Sequence, residues 1–272
     1  MLLAVDIGNT NIVFGLYEGE RLVHTFRAST VRTRTEDEYG VLLLELLGLR
    51  QVSVESVDAA IIASVVPPLT DVMVAAIRHV STREPLVVGP GLKTGVRILY
   101  DNPREIGADR IVNAVAAFER VKGPAIVVDF GTATTFDCIS PKGEYLGGVI
   151  VPGIQVSLDG LLQSAAKLSR VELAVPERVL GRNTTHALQA GVLIGHAALV
   201  DGLVERLEAE LGHASAVIAT GGRAALIAKN AKRIGSVDPN LTLEGLRILY
   251  EKNRDRLGAV RSPRARPAPE AS

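Results

Sequence analysis

The sequence predicts an α/β protein of two similar halves, each a mixed sheet with flanking helices, facing each other across a central cleft. Three observations predict it. Residues 2–14, LLAVDIGNTNIVF, and residues 125–137, AIVVDFGTATTFD, share one pattern: an apolar run, an aspartate, an apolar residue, a glycine, then Asn or Thr and a β-prone run. Each stretch opens a three-stranded meander that gives way to alternating helical and extended segments. The chain of 272 residues, 47% hydrophobic and 22% charged, is long enough for an ample core.

The elements follow in order. Residues 2–5, 12–17 and 22–28 alternate as antiparallel strands, turning at Gly8 and at Glu18-Gly19-Glu20. Thr35, with Glu38 three residues later, opens a helix that sets Tyr39, Leu42, Leu43, Leu46 and Leu47 on one face and stops at Gly48. A buried strand at 57–64 leads to Pro67-Pro68, which starts a helix through His79. Residues 86–88 and 97–100 are extended, 101–110 form a loop, and 111–121 a helix.

The second half repeats the meander at 125–130, 133–139 and 144–151, with a turn at Pro141-Lys142-Gly143. Pro152-Gly153 ends it, and 154–167 reads as a helix, 170–182 as irregular chain. Thr184 or Thr185 opens a long helix to Leu211, in which Gly191 and Gly195 suit a close helix contact. A strand at 216–219 ends in Thr220-Gly221-Gly222, followed by helices at 224–232 and 241–257, the latter started by Thr242. The Pro-rich run RSPRARPAPEAS reads as a disordered tail. The division is therefore 1–118, 119–258 and a tail at 259–272.

Charge and motifs exclude several classes. Thirty basic and thirty acidic residues give a formal net charge of +0, so neither a nucleic-acid nor a membrane surface is expected. The apolar N-terminal run has no basic start and is broken by Asp6 and Asn9, unlike a signal peptide, and no uninterrupted apolar run reaches the roughly 18 residues of a membrane span. A cytoplasmic protein is expected. Cys138, the one cysteine, reads as a small core residue. No P-loop, GxGxxG helix start, HExxH or GxSxG is present. The histidines do not pair with carboxylates at ligand spacing.

Nucleotide binding, if it occurs, must use the two aspartate turns. Gly8 and Gly131 let the backbone approach a ligand, and Asn9-Thr10-Asn11 and Thr132-Ala133-Thr134 supply the donors that phosphate oxygens need. Asp6 and Asp129 are suited to a cation bridging phosphates. The competing reading, hairpin turns that only reverse the chain, suits one copy better than two. Asp109 follows a glycine in a loop before a helix, placed either as a base for a hydroxyl proton or as a helix cap. Arg110 fits a substrate carboxylate, a phosphate or an ion pair. Tyr100 fits a substrate or a sheet edge, and Thr184 a substrate or a helix cap. Thr220-Gly221-Gly222 suits either an approaching adenosine or a plain strand-to-helix turn.

DIGNT, DNPREIGADR, DFGTATTFD, GGVIVPG and RNTTHALQAG, in this order, resemble type III pantothenate kinases of the acetate kinase, sugar kinase, Hsp70 and actin superfamily. The resemblance runs from Leu2 to about Leu257. It implies two actin- or ribonuclease-H-like domains around the cleft and ATP-dependent phosphorylation of pantothenate to 4′-phosphopantothenate, opening coenzyme A biosynthesis. Asp6, Ile7, Gly8, Asn9, Thr10, Asn11, Ile12, Val13 and Thr132 would bind ATP. Asp6 would stand beside Mg²⁺, directly or through water, and Asp129 would bind K⁺ or NH₄⁺. Tyr100, Gly107, Ala108, Asp109, Arg110 and Thr184 would line the pantothenate site, with Asp109 as general base of a direct in-line transfer. A homodimer is implied as well, with the 184–211 helix as its candidate packing surface. Two alternatives stay open: a superfamily enzyme acting on another small hydroxylated acceptor or on polyphosphate, and a non-catalytic accessory regulator. The loop at 100–110 decides the first, and the presence of Asp6, Asp109 and Asp129 opposes the second.

Overall fold

The structure, a computed structural model, describes residues 1–165, 168 and 170–260, the last five of these by backbone alone. The first half runs β1 (Leu2–Ile7), β2 (Asn11–Glu18), β3 (Arg21–Ser29), α1 (Glu36–Gly48), β4 (Ala59–Ser64), α2 (Pro67–Ser81) and β5 (Leu86–Val87). Its sheet has the order β3-β2-β1-β4-β5, antiparallel across the meander and parallel from β1 to β5. The Thr35–Glu38 capping box is present, with acidic side chains in the first turn of α1 where the helix dipole favours them.

After β6 (Arg97–Ile98) and α3 (Ala108–Val121), the second half runs β7 (Ala125–Phe130), β8 (Ala133–Ile139), β9 (Glu144–Pro152), α4 (Ile154–Ser164), α5 (Thr184–Gln189), α6 (Gly195–Leu211), β10 (Ala216–Thr220), α7 (Ala224–Ala228), β11 (Ser236–Val237) and α8 (Leu241–Val260). The order β11-β10-β7-β8-β9-β6 repeats that of the first sheet, with β6 added beyond β9. Strands β1 and β7 even share one burial pattern: four buried residues, a half-buried aspartate, one more buried residue.

Two apolar clusters each serve one sheet. Leu3, Val5 and Ile7 pack with α1 and α2, whereas Ile126, Val128 and Phe130 pack with α6. A third cluster joins the sheets: α3 and α8 lie between them, so that Val112, Val115, Leu246 and Leu249 meet Ala4 and Ile61 on one side and Val127 and Ile218 on the other. The last helix of the chain thus returns to the first sheet.

Several expected boundaries move. The helix expected at 111–121 begins at Ala108 with Gly107 as N-cap, so Asp109 and Arg110 stand in its first turn and Asp109 is not the cap. Asn183, not Thr184, caps α5, its Oδ1 accepting from the backbone N–H of His186 at 2.8 Å. The long helix is interrupted by a π-helical turn at Ala190–Ile194, and a Cβ on Gly191 or Gly195 would meet nothing within 4 Å. These glycines therefore make no close contact inside the chain. Helix α4 ends at Ser164, and α7 ends at Ala228, four residues early. Helix α8 begins at Leu241, and the Thr242 hydroxyl is spent on Asn113 rather than on a cap. It runs to Val260, so the expected tail loses its first two residues to helix and the rest lies outside the described residues. By length and composition alone Thr184–Leu211 could cross a membrane, but here His196, Ala197, Val200 and Val204 are buried on the second sheet.

Candidate active site

The two aspartate turns meet. Each follows a buried strand and closes on itself, the Gly8 N–H donating to the Asn11 carbonyl and the Gly131 N–H to the Ala133 carbonyl, both at 3.0 Å. The first turn is one residue longer: its last strand pair is Ile7 with Ile12, the second's is Phe130 with Thr134. The hydroxyls of Thr10 and Thr132 are 2.9 Å apart, a direct link between the halves. Thr30 braces the first turn by donating to the Gly8 carbonyl at 2.6 Å, and Arg32 by donating to Asn9 Oδ1 at 2.9 Å. Ile7 and Ile12 point wholly into the core, so only their backbone can face a ligand. Asn9 and Thr10 are exposed.

Two further turns close on the second aspartate. Gly221, at φ +90°, lies so close that a Cβ there would collide with Asp129 Oδ1 and the Phe130 backbone. Gly153 packs on the Thr132 carbonyl, to which its N–H donates at 3.1 Å. These positions need glycine because backbone approaches backbone.

Asp109 reaches the same region from α3. Its carboxylate accepts from the Arg110 N–H at 2.8 Å, and Gly107 leaves the space its Oδ1 occupies. Burial, partly offset by that hydrogen bond and by Arg110, raises its pKa. Burial also raises Asp6 to about 8, helped by the charges of Asp109 and Asp129 and opposed by that of Arg27. Asp129 is pushed up to about 7 by burial, then by Asp109 and Asp137, against a hydrogen bond from Asn113. Three carboxylates thus share one field, which Arg27 offsets only in part at Asp6 and Arg110 only in part at Asp109.

Such a hard-oxygen, anionic set fits a hard cation. Among the described residues, no three His, Cys, Asp or Glu side chains form a ready-made metal cage. The fit is with a cation that takes one or two carboxylates and completes its shell with phosphate oxygen and water, the usual arrangement for Mg²⁺. Asp6 is the donor suited to it, and Asp129 offers a second carboxylate suited to a monovalent cation.

The remaining expected residues divide. Tyr100 lies with its ring against Gly147, 6.2 Å from the Tyr145 ring. Arg110 is not a free cation. Its Nε donates to Asp137 Oδ1 at 2.7 Å, one Nη donates to the Phe136 carbonyl at 3.4 Å, and Tyr145 also donates to Asp137, at 2.8 Å. Both partners are buried, and breaking such a pair leaves an uncompensated charge worth about 3–5 kcal/mol. The ion-pair reading of Arg110 therefore describes its contacts, and it holds the start of α3 to β8. Thr184 is exposed at the start of α5 and lines an apolar groove with Ile154, Leu161, Leu188 and Leu199.

Sequence reasoning missed Asn113, which is buried. Its Nδ2 donates to Asp129 Oδ2 at 3.2 Å while its Oδ1 accepts from Thr242 at 2.8 Å; the ionised carboxylate, which only accepts, takes the N–H end of the amide and leaves the carbonyl end to the hydroxyl. The signal was available: Asn113 stands four residues after Asp109, on the same helix face. Asp137, at an inward strand position, was a second such signal.

Comparison with known proteins identifies relatives of nearly the whole chain. A family model described as type III pantothenate kinase matches residues 2–206. The chain is 54% identical over 253 residues to a type III pantothenate kinase of Myxococcus xanthus (strain DK1622), covering 93% of this chain and 99% of that one. It is also 54% identical over 255 residues to one of Geobacter sulfurreducens, covering 94% and 100%. Among solved structures, a protein of Campylobacter jejuni described as a Baf family transcriptional activator superposes with a TM-score of 0.59 at 20% identity, covering 93% of this chain and 99% of that one. Component A of (R)-2-hydroxyglutaryl-CoA dehydratase from Acidaminococcus fermentans gives 0.54 at 14%, covering 94% and 98%. These two likenesses concern the fold alone.

Proposed function

The chain belongs to the type III pantothenate kinase family, a kinase that phosphorylates pantothenate in coenzyme A biosynthesis, and we propose that its two aspartate turns grip ATP while Asp109 deprotonates the acceptor. The observation that carries this is the convergence of three carboxylates, Asp6, Asp109 and Asp129, where the turns touch through Thr10 and Thr132.

Phosphoryl transfer to a primary hydroxyl requires an acceptor for the hydroxyl proton and a field that stabilises the transferring group. The residues at 6–13, with Thr132, present backbone N–H groups, amides and hydroxyls to the phosphates. Asp109, its pKa raised by burial, is a better proton acceptor than a solvated aspartate and stands at a helix N-terminus that stabilises its charge. Gly107 and Ala108 bring acceptor and backbone close, Tyr100 walls the pocket, and Arg110, through Asp137, keeps the loop in place. Transfer is direct and in line. Cys138 is buried with its pKa pushed up to about 12, so it is no nucleophile. Mg²⁺ beside Asp6 and K⁺ or NH₄⁺ at Asp129 would offset the charge that phosphates add to three carboxylates.

The enzyme is read as a cytoplasmic homodimer, packed through the 184–211 helix. The open side of Gly191 and Gly195 and the apolar groove beside Thr184 support that surface, a second copy being its occupant. The chain halves are read as 1–118 and 119–258. The test of the reaction is coupled ADP release from ATP and Mg²⁺, with and without pantothenate, in K⁺ and then Na⁺ buffer. Turnover that needs pantothenate and K⁺ is expected. ATP consumption that is equal without pantothenate refutes the acceptor.

A further inference from the structure

Arg27 is a cation that the site as described leaves unused. It lies on β3, paired in register with Val13 of β2, which is in turn paired with Asp6 of β1. Side chains in one row across a sheet project to the same face, so Arg27 and Asp6 share a face, about 10 Å apart at two strand spacings. Val13 is the floor between them. The guanidinium also crosses to the other half of the molecule: its Nη1 lies 3.4 Å from where a Cβ on Gly222 would stand. Arg27 is therefore held between the first aspartate turn and the Thr220–Gly222 turn, over the ground where phosphates would lie.

The neighbouring arginines are engaged. Arg32 is bonded to Asn9, Arg110 to Asp137 and Arg223 to Gln155. Among the described residues Arg27 is exposed and has no hydrogen bond or ion pair. A free guanidinium on the same face as Asp6, with a glycine opposite that leaves it room, is poised for an anion that arrives between them. Its planar fork matches phosphate oxygens.

We propose that Arg27 is a polyphosphate-binding residue of the nucleotide site, donating from β3 to the phosphate oxygens of the bound nucleotide on the side opposite the Asp6 turn. This rests on the reading of the cleft as the ATP site. Because the guanidinium reaches Gly222, it also ties nucleotide binding to the approach of the two halves.

Calorimetric titration of the full chain with ADP, ATP and AMP in Mg²⁺ buffer tests it, comparing the native protein with R27Q and R27K. A charged hydrogen bond to phosphate predicts that R27Q weakens ADP and ATP by about 10- to 100-fold, with AMP, which lacks the outer phosphates, changed by less than about threefold. R27K should recover part of the loss. If R27Q fails to fold, R27M, which keeps the apolar stem, supplies the same comparison. ADP and ATP binding within about twofold of native in the variant, or an equal loss for AMP, overturns the role of Arg27 alone. A native protein that binds none of the three nucleotides overturns the ATP site and this proposal together.

Discussion

Replacing Asp6 by Asn should stabilise the nucleotide-free protein at pH 8 and leave it unchanged at pH 4. The sign follows from the pKa values. Asp6 titrates near 3.8 when unfolded and near 8 when folded, so between these values the folded state holds the extra proton. Stability then falls as pH rises through that window and is lowest above it. Taken alone, the shift sets an upper limit of about 6 kcal/mol at 1.36 kcal/mol per unit. Asp6 is half-buried and shares its field with Asp109 and Asp129, so a loss of about 1–3 kcal/mol is the working figure. For a chain of this size that is roughly 2–10 °C in Tm. The assay is thermal melting of native protein and Asp6→Asn in chelator, at pH 4 and pH 8. A higher Tm for the variant at pH 8 alone is expected. An equal difference at both pH values, or a lower Tm at pH 8, refutes the claim that burial, helped by Asp109 and Asp129, disfavours the Asp6 charge. Mg²⁺ with ATP should restore the native protein and do less for the variant.

Two more outcomes follow. Gly221→Ala puts a methyl group into Asp129 and the Phe130 backbone at a φ of +90°, so it should cost about 1–3 kcal/mol in a denaturant titration and lower turnover. Asn113→Ala leaves the Thr242 hydroxyl and Asp129 without their shared partner; a loss of about 1–3 kcal/mol and a several-fold higher K⁺ concentration for half-maximal rate are expected, and unchanged melting and K⁺ response would dismiss the relay.

What the sequence showed, it showed through repetition. Two apolar runs ending in Asp and Gly predicted β1 and β7, and the strands that flank them fell in the same order in both sheets. The capping pair Thr35 and Glu38 and the Pro67-Pro68 start carry local chemistry, and α1 and α2 begin there. Where no local signal exists the reading failed. Helix α3 starts three residues early because Gly107 caps it by backbone shape, with no side-chain hydrogen bond. Strand β11 is two exposed residues, too short for an apolar pattern. The π-helical turn and the return of α8 to the first sheet depend on contacts far apart in the chain. The site was legible as a set of turns. Its partners were not: Arg110 reads equally as a ligand-binding cation or an ion-paired one until Asp137 is seen beneath it, and Asn113 reads as one polar residue in a helix.

The central claim is that Asp109 takes the hydroxyl proton where the two turns hold ATP. A rapid-quench measurement of one turnover, ATP to pantothenate, tests it most directly in native protein and Asp109→Asn, with ATP binding measured beside it. Removing a general base should slow transfer by about 10²- to 10⁴-fold. ATP binding should persist or tighten, since one carboxylate leaves the phosphate field. Transfer in the variant within about tenfold of native would place the base elsewhere and contradict the account.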